Sequence, residues 1–167
     1  MSKTIENLEA AFAGESQANR KYLAFARRAD QEGQPGVARL FRAAAEAETI
    51  HAHAHLRALG AVNTTADNLR VALAGENHEF VTMYPGFLDQ AMKDGHKPAE
   101  ISFRFALAVE KIHHELYAGA LKAVESGGDL PERKIYVCLV CGNTVYDQAP
   151  DKCPICNAAG TSFVEVG

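Results

Sequence analysis

Two short stretches carry the chemistry of this chain. Glu48-Thr49-Ile50-His51 and Glu110-Lys111-Ile112-His113 each place a carboxylate three residues before an imidazole, and on an α-helix that spacing stacks both groups on one face. Each pair can offer one metal ion an oxygen and a nitrogen. A further cluster lies near the C-terminal end, where Cys138, Cys141, Cys153 and Cys156 form two Cys-x-x-Cys pairs separated by eleven residues, a spacing that suits four thiolates around one metal.

The Glu-x-x-His pairs belong to a repeat. Glu48 and Glu110 are 62 residues apart, as are His51 and His113, and Tyr22 and Tyr84. Upstream, Ala11-Phe12-Ala13-Gly14-Glu15 recurs as Ala72-Leu73-Ala74-Gly75-Glu76 at an offset of 61. A single Glu-x-x-His is common surface decoration, but two in register, each preceded by a Glu on the helix before it, are not. Two copies of one helical hairpin, with a Glu on the first helix and a Glu-x-x-His on the second, match the ligand set of ferritin-like di-iron and di-manganese carboxylate bundles.

The elements that must position these groups are legible from periodicity and punctuation. A first helix is predicted from about Thr4 to Asp30, with Leu8, Phe12, Glu15, Tyr22 and Phe25 along one seam. Gly33 and Pro35 suit a stop followed by a start. The second helix runs from Val37 to Leu59 and ends at Gly60. Thr64-Thr65-Ala66-Asp67 resembles a capping box opening the third, whose seam includes Leu73, Glu76, Glu79, Phe80 and Met83. Pro85-Gly86 predicts a kink there. Gly95 and Pro98 mark the next turn, and the fourth helix continues to Glu125. Gly14 and Gly75 cost roughly 1 kcal/mol each inside helices, which predicts close approach of a neighbouring backbone.

The predicted organisation is an all-α four-helix bundle over residues 1–127, a linker over 128–134 and a small β domain over 135–167. The last is too small to fold on apolar burial alone and should require its metal.

The connection between the second and third helices sets the quaternary expectation. Parallel second and third helices require the chain to travel the length of the bundle. The second helix is ~34 Å long at ~1.5 Å per residue, whereas Gly60 to Thr64 spans at most ~18 Å fully stretched. An up-down-up-down topology would lose the two-fold relation that the repeat suggests, so the predicted solution is a domain-swapped homodimer, in which Glu15, Glu48 and His51 of one chain meet Glu76, Glu79, Glu110 and His113 of the other.

Composition narrows the function. Seventeen Lys and Arg against 21 Asp and Glu, without long runs, provide no basic stripe for nucleic acid. No apolar run approaches ~18 residues and the N-terminus lacks an export core, so a cytoplasmic protein with no membrane span is expected.

Buried carboxylates need neutralising cations, and oxygen-rich ligation with one imidazole per ion favours iron or manganese. Four glutamates balance two divalent ions. Glu79 is a fifth, standing where the first repeat has Ala18. Oxidation to the trivalent state adds two positive charges, which would favour Glu79 over His51 as a ligand. His53 is out of phase with His51 on its helix and is expected in solvent; His114 competes with His113 as a neighbour of Glu110, and the repeat favours His113. Tyr22 and Tyr84 are either core residues or hydrogen-bond partners of the ligand carboxylates. The four-cysteine site suits structural zinc or an iron that carries one electron.

Together, the Ala11–Ala18 stretch, Ala74-Gly75-Glu76-Asn77-His78-Glu79, Met83-Tyr84-Pro85, both Glu-x-x-His pairs, Cys138-Leu139-Val140-Cys141-Gly142 and Cys153-Pro154-Ile155-Cys156 resemble the rubrerythrin family over nearly the whole chain. Asn157 stands where rubredoxins often have Gly, and Asn tolerates the left-handed conformation. The resemblance implies a di-iron site at Glu15, Glu48, His51, Glu76, Glu79, Glu110 and His113, with redox-linked exchange of a Glu for a His. It also implies a mononuclear iron at Cys138, Cys141, Cys153 and Cys156, replaceable by zinc, in a rubredoxin-like domain. The implied activity is reduction of hydrogen peroxide to water in oxidative stress defence, with electrons from an external NAD(P)H-dependent reductase or a rubredoxin passing through the rubredoxin-like iron. Iron storage or ferroxidase activity is the alternative, disfavoured by the cysteine tail, since storage needs no attached electron carrier.

Overall fold

The computed structural model describes residues 2–167; Met1, the first residue of the predicted bundle domain, lies outside them. Two compact units divide between Asn63 and Thr64.

The first unit is a helical hairpin of α1 (Lys3–Gln31) and α2 (Pro35–Ala58). Its two helices meet through small side chains, with Ala26, Ala29, Ala38, Ala45 and Ala52 all buried, so the backbones approach closely. Asn19 ties them together: its amide donates to the Ala45 carbonyl at 2.6 Å and to Thr49 Oγ1 at 2.8 Å. α1 stops because Gly33 takes a left-handed φ of 72°, the usual device for closing a helix end. Large apolar groups remain open, Leu40 at 69% and Ile50 at 60% exposure, because two helices alone cannot enclose them.

The second unit contains α3 (Thr65–His78), a π-helical segment (Glu79–Met83), α4 (Tyr84–Lys93), α5 (Lys97–Glu125), β1 (Ile135–Cys138), β2 (Thr144–Tyr146) and β3 (Phe163–Val166). Thr64 caps α3 by accepting from the Asp67 N–H at 3.2 Å while its hydroxyl donates to the Asp67 carboxylate at 2.6 Å, as the sequence predicts. The expected kink at Pro85 takes another form. α3, the π segment and α4 are one continuous helix, and the Tyr84 N–H donates to the Glu79 carbonyl five residues back. Proline lacks an N–H and its ring collides with the carbonyl four residues earlier; the wider turn just ahead of Pro85 removes that conflict.

The same segment resolves the uneven repeat. The offset between copies is 61 at Glu15 and Glu76 but 62 at Tyr22 and Tyr84, so the second copy has one extra residue between those points. A π turn absorbs one extra residue without breaking the helix, and register is recovered by Tyr84. Downstream, the aromatic clusters of the two copies match in spacing. Tyr22, Phe25 and Phe41 pack with ring centroids 6.4, 6.1 and 5.6 Å apart, and Tyr84, Phe87 and Phe103 with 6.2, 6.1 and 5.6 Å.

Gly14 and Gly75 depart from expectation, since a Cβ on either would meet nothing within 4 Å among the described residues. Neither hairpin places a backbone against its own glycine.

The three strands pair antiparallel in the order β2-β1-β3. Cys138, Cys153 and Phe163 form the buried centre of this small sheet. Gly142, after the second cysteine, has φ 84°, and Asn157, after the fourth, has φ 62°; both knuckles therefore turn in the left-handed region, with Asn replacing Gly as expected. Among the described residues no helix is long and apolar enough to cross a membrane.

Candidate metal centres

Each hairpin brings together the ligands that its own repeat predicts. Ligand atoms of Glu15, Glu48 and His51 lie within 4.8 Å of one another, and so do those of Glu76, Glu110 and His113. Each group holds two carboxylates and one imidazole. Within the pairs, His51 Nδ1 is 2.8 Å from Glu48 Oε2 and His113 Nδ1 is 2.9 Å from Glu110 Oε2, the contact that i,i+3 spacing on a helix produces. Glu79 falls outside the second group, although it lies close enough to feel Glu110 and His113 electrostatically.

His114 turns elsewhere: its Nδ1 faces the Leu73 carbonyl at 3.3 Å and its ring meets Phe80 edge-on at 5.2 Å. His53 is exposed, as its helical phase predicts.

Glu15, Glu48, Glu76, Glu79 and Glu110 are all partly buried, and among the described residues none makes an ion pair with Lys or Arg. Glu76 shows the consequence. Among the described residues its Oε2 is buried without a hydrogen-bond partner, and burial, followed by the adjoining Glu110 and Glu79 carboxylates, pushes its pKa up to about 7. Burial and then the Glu110 charge also raise Glu79. The Tyr84 phenol is raised by burial and then by Glu110, Glu79 and Glu76, so it keeps its proton beside the carboxylates. Tyr22 occupies the matching place in the first hairpin, within its own aromatic cluster. Crowded, unneutralised carboxylates with one imidazole per group are the donor set of a hard or borderline divalent cation, and these residues fit one.

A raised carboxyl stabilises the fold only while protonated. Metal-free protein therefore keeps the Glu76 contribution below pH about 4.5 and loses it as pH rises through about 7. Solvent access reduces the effect to on the order of 1 kcal/mol. Between about pH 5 and about pH 8 the melting temperature of the metal-free protein should fall by roughly 2–4 °C more than that of Glu76→Gln, which lacks the titration. Parallel melting curves would exclude this role for Glu76.

The cysteine knuckle is equally prepared. All four sulfurs lie within 4.8 Å of one another, with Cys138 and Cys156 at 3.7 Å and Cys141 and Cys153 at 3.6 Å. Tetrahedral bonds of ~2.3 Å place sulfurs about 3.8 Å apart. Burial raises Cys141 and Cys156. At Cys153 burial is outweighed by backbone N–H groups of Cys156 and Ile155, and its thiol falls to about 6.

The knuckle lies directly against α5. A Cβ at Gly142 would stand 3.6 Å from Val109 Cγ1, and Thr144 Oγ1 is 3.1 Å from His113 Nε2. Sequence reasoning misses Thr144, because only the docking of β2 on α5 reveals it. Asn19 belongs to the predicted seam of the first helix, one turn from Glu15, but its partners Ala45 and Thr49 emerge only from the packing of α2 on α1.

Comparison with known proteins agrees with this geometry. Residues 6–121 match the family Rubrerythrin, and residues 136–164 match the rubrerythrin rubredoxin-like domain. Rubrerythrin-2 of Clostridium acetobutylicum is 37% identical over 174 residues, covering 96% of this chain and 95% of that protein. Nigerythrin of Nitratidesulfovibrio vulgaris is 33% identical over 170 residues, covering 93% and 83%. Among solved structures, mixed-valence nigerythrin matches with a TM-score of 0.58 at 32% identity, covering 99% of this chain and 88% of that one. Fully reduced, all-ferrous nigerythrin matches with the same score at 31% identity. Two hairpins with carboxylate and histidine ligands of a di-iron site, followed by a four-cysteine knuckle, agree with matches spanning almost all of the chain, and the chain belongs to the rubrerythrin family.

Proposed function

We propose that this oxidoreductase is a cytoplasmic peroxidase reducing hydrogen peroxide to two waters, with two protons and two electrons consumed per turnover. The observation that carries the proposal is the pair of matching three-ligand groups, one on each hairpin. Each site would be assembled in a domain-swapped homodimer from Glu15, Glu48 and His51 of one protomer and Glu76, Glu79, Glu110 and His113 of its partner. Residues 1–127 would form the bundle domain, 128–134 the linker and 135–167 the rubredoxin-like domain. The open apolar faces of the hairpins support the exchange, and so does the free space over Gly14 and Gly75, which leaves room for a second hairpin.

Held by these residues, an iron pair would supply two electrons to the peroxide O–O bond, and iron held by Cys138, Cys141, Cys153 and Cys156 would supply their replacements one at a time. The protein's part is charge and proton management. Four glutamates neutralise two divalent ions. Glu79 offers the further negative charge favoured after oxidation, in exchange for His51. Tyr84 holds a phenolic proton next to the carboxylates and would be the proton donor to the departing oxygen. A nicotinamide-dependent reductase or a separate rubredoxin would reduce the tail.

Mixing anaerobically reduced protein with one equivalent of peroxide per di-iron site tests the proposal. The bundle chromophore should be oxidised within the mixing experiment and the tail iron afterwards. Slow reaction with peroxide, together with rapid iron uptake under dioxygen, would replace it with ferritin-like iron handling.

A further inference from the structure

The two nitrogens of His113 face different surroundings. Nδ1 points to the carboxylates, 2.9 Å from Glu110 Oε2 and 3.9 Å from Glu76 Oε2. Nε2 points the other way, to Thr144 Oγ1 at 3.1 Å. The Thr144 hydroxyl is also 3.1 Å from the Gly142 carbonyl, and Gly142 directly follows Cys141.

Hydrogen-bond chemistry fixes the direction of this chain. A carbonyl only accepts, so the single hydroxyl hydrogen of Thr144 goes to Gly142. Its oxygen is then left to accept, and with Nδ1 kept for a metal the neutral His113 ring carries its proton on Nε2 and donates there. A neutral ring protonated at Nε2 is bare at Nδ1, the nitrogen that faces Glu76 and Glu110. His51, the equivalent residue in the first hairpin, has no partner on Nε2 among the described residues, and its side chain is 56% exposed against 29% for His113.

We infer that Thr144 is a positioning residue that locks His113 as the Nε2-protonated tautomer and latches the cysteine knuckle to the helix carrying Glu110 and His113. The asymmetry gives the two histidines different tasks. His113 is held by a neighbour outside its own hairpin, so its orientation persists; among the described residues His51 has no partner on Nε2 to hold it. Outer partners of ligand histidines set their orientation in this way. The inference deepens the peroxidase proposal, because it gives His113 a fixed contact with the tail and leaves the exchange with Glu79 to His51, as the charge balance already expects.

The test uses the full chain loaded with zinc in all sites, where ring protons are visible by nuclear magnetic resonance. Thr144→Val keeps the shape and removes the hydroxyl; Thr144→Ser keeps the hydroxyl. In the parent protein and in Thr144→Ser, the His113 Nε2 proton should be resolved and slow to exchange with solvent. In Thr144→Val it should exchange at least ~10-fold faster. The cysteine-bound metal should bind equally well in all three, showing that the knuckle is folded. Iron-loaded Thr144→Val should also pass electrons from tail to bundle roughly 10-fold more slowly, with Thr144→Ser restoring the rate. Unchanged exchange in Thr144→Val, or failure of serine to restore the parent behaviour, overturns the role of Thr144. The zinc measurement does not depend on peroxide chemistry, so a parent protein inert to peroxide but with the predicted exchange pattern would sink the peroxidase proposal alone.

Discussion

Glu48→Ala and Glu110→Ala, each at least ~100-fold impaired alone, should recover about a quarter of wild-type peroxide consumption when unfolded together, refolded and loaded with iron. The arithmetic follows from exchange of hairpins. Random pairing makes half of the dimers mixed. In a mixed dimer one site collects the altered Glu48 hairpin and the altered Glu110 hairpin, while the other collects two unaltered hairpins. One intact site in two, in half of the dimers, is a quarter of all sites. If each site instead drew all its ligands from one chain, every site would carry one lesion and mixing would change nothing. Refolded wild-type protein supplies the reference, and a mixture as inactive as its parts beside an active reference would rule out the exchange.

The experiment is sharp because each hairpin is complete as a half-site and incomplete as a structure. Glu15, Glu48 and His51 converge without help from the second unit, and Glu76, Glu110 and His113 without help from the first. Yet the first hairpin buries mainly alanines and leaves Leu40 and Ile50 in solvent. At roughly 25 cal/mol per Å² of apolar surface, covering such side chains contributes ~1.5–3 kcal/mol each. A second hairpin bearing the complementary half of the ligands would bring both.

How much of this could be read from residues alone depended on whether the determinant was local. Helix stops at Gly33, Gly60 and Gly95 were legible because a left-handed φ is a property of one residue. The capping box at Thr64 and Asp67 was legible for the same reason. The ligand groups were legible because i,i+3 geometry and a repeat suffice to align them, and the repeat also separated His113 from His114. Thr144 was not, since its partner lies 31 residues away and the contact depends on how a strand docks on a helix. The π turn stands between these cases. Proline alone suggested a kink, while the change of offset from 61 to 62 encoded the inserted residue.

That inserted residue supports the second large effect. From Glu15 to Tyr22 is seven residues, and from Glu76 to Tyr84 is eight. Deleting Thr82 makes the second interval equal to the first, and the helix should close to an ordinary α turn. Pro85 then sits in an uninterrupted helix, where its ring meets the carbonyl four residues earlier at a cost of about 3 kcal/mol. For a chain of this size that is roughly 6–12 °C of melting temperature. The first hairpin, which has no extra residue, carries Leu23 where the second carries Pro85, so adding Pro85→Leu to the deletion should restore most of the loss. What should not return is the placement of Glu79. The π turn begins at Glu79, whose carbonyl takes the Tyr84 N–H from five residues on, and the deletion tests whether this widened backbone sets the Glu79 carboxylate toward Glu110 and His113. The deletion combined with Pro85→Leu should therefore bind two iron ions but show the same coordination when oxidised and reduced, matching Glu79→Ala, by X-ray absorption. If ligand exchange persists in the deleted protein, the π turn serves only to accommodate proline.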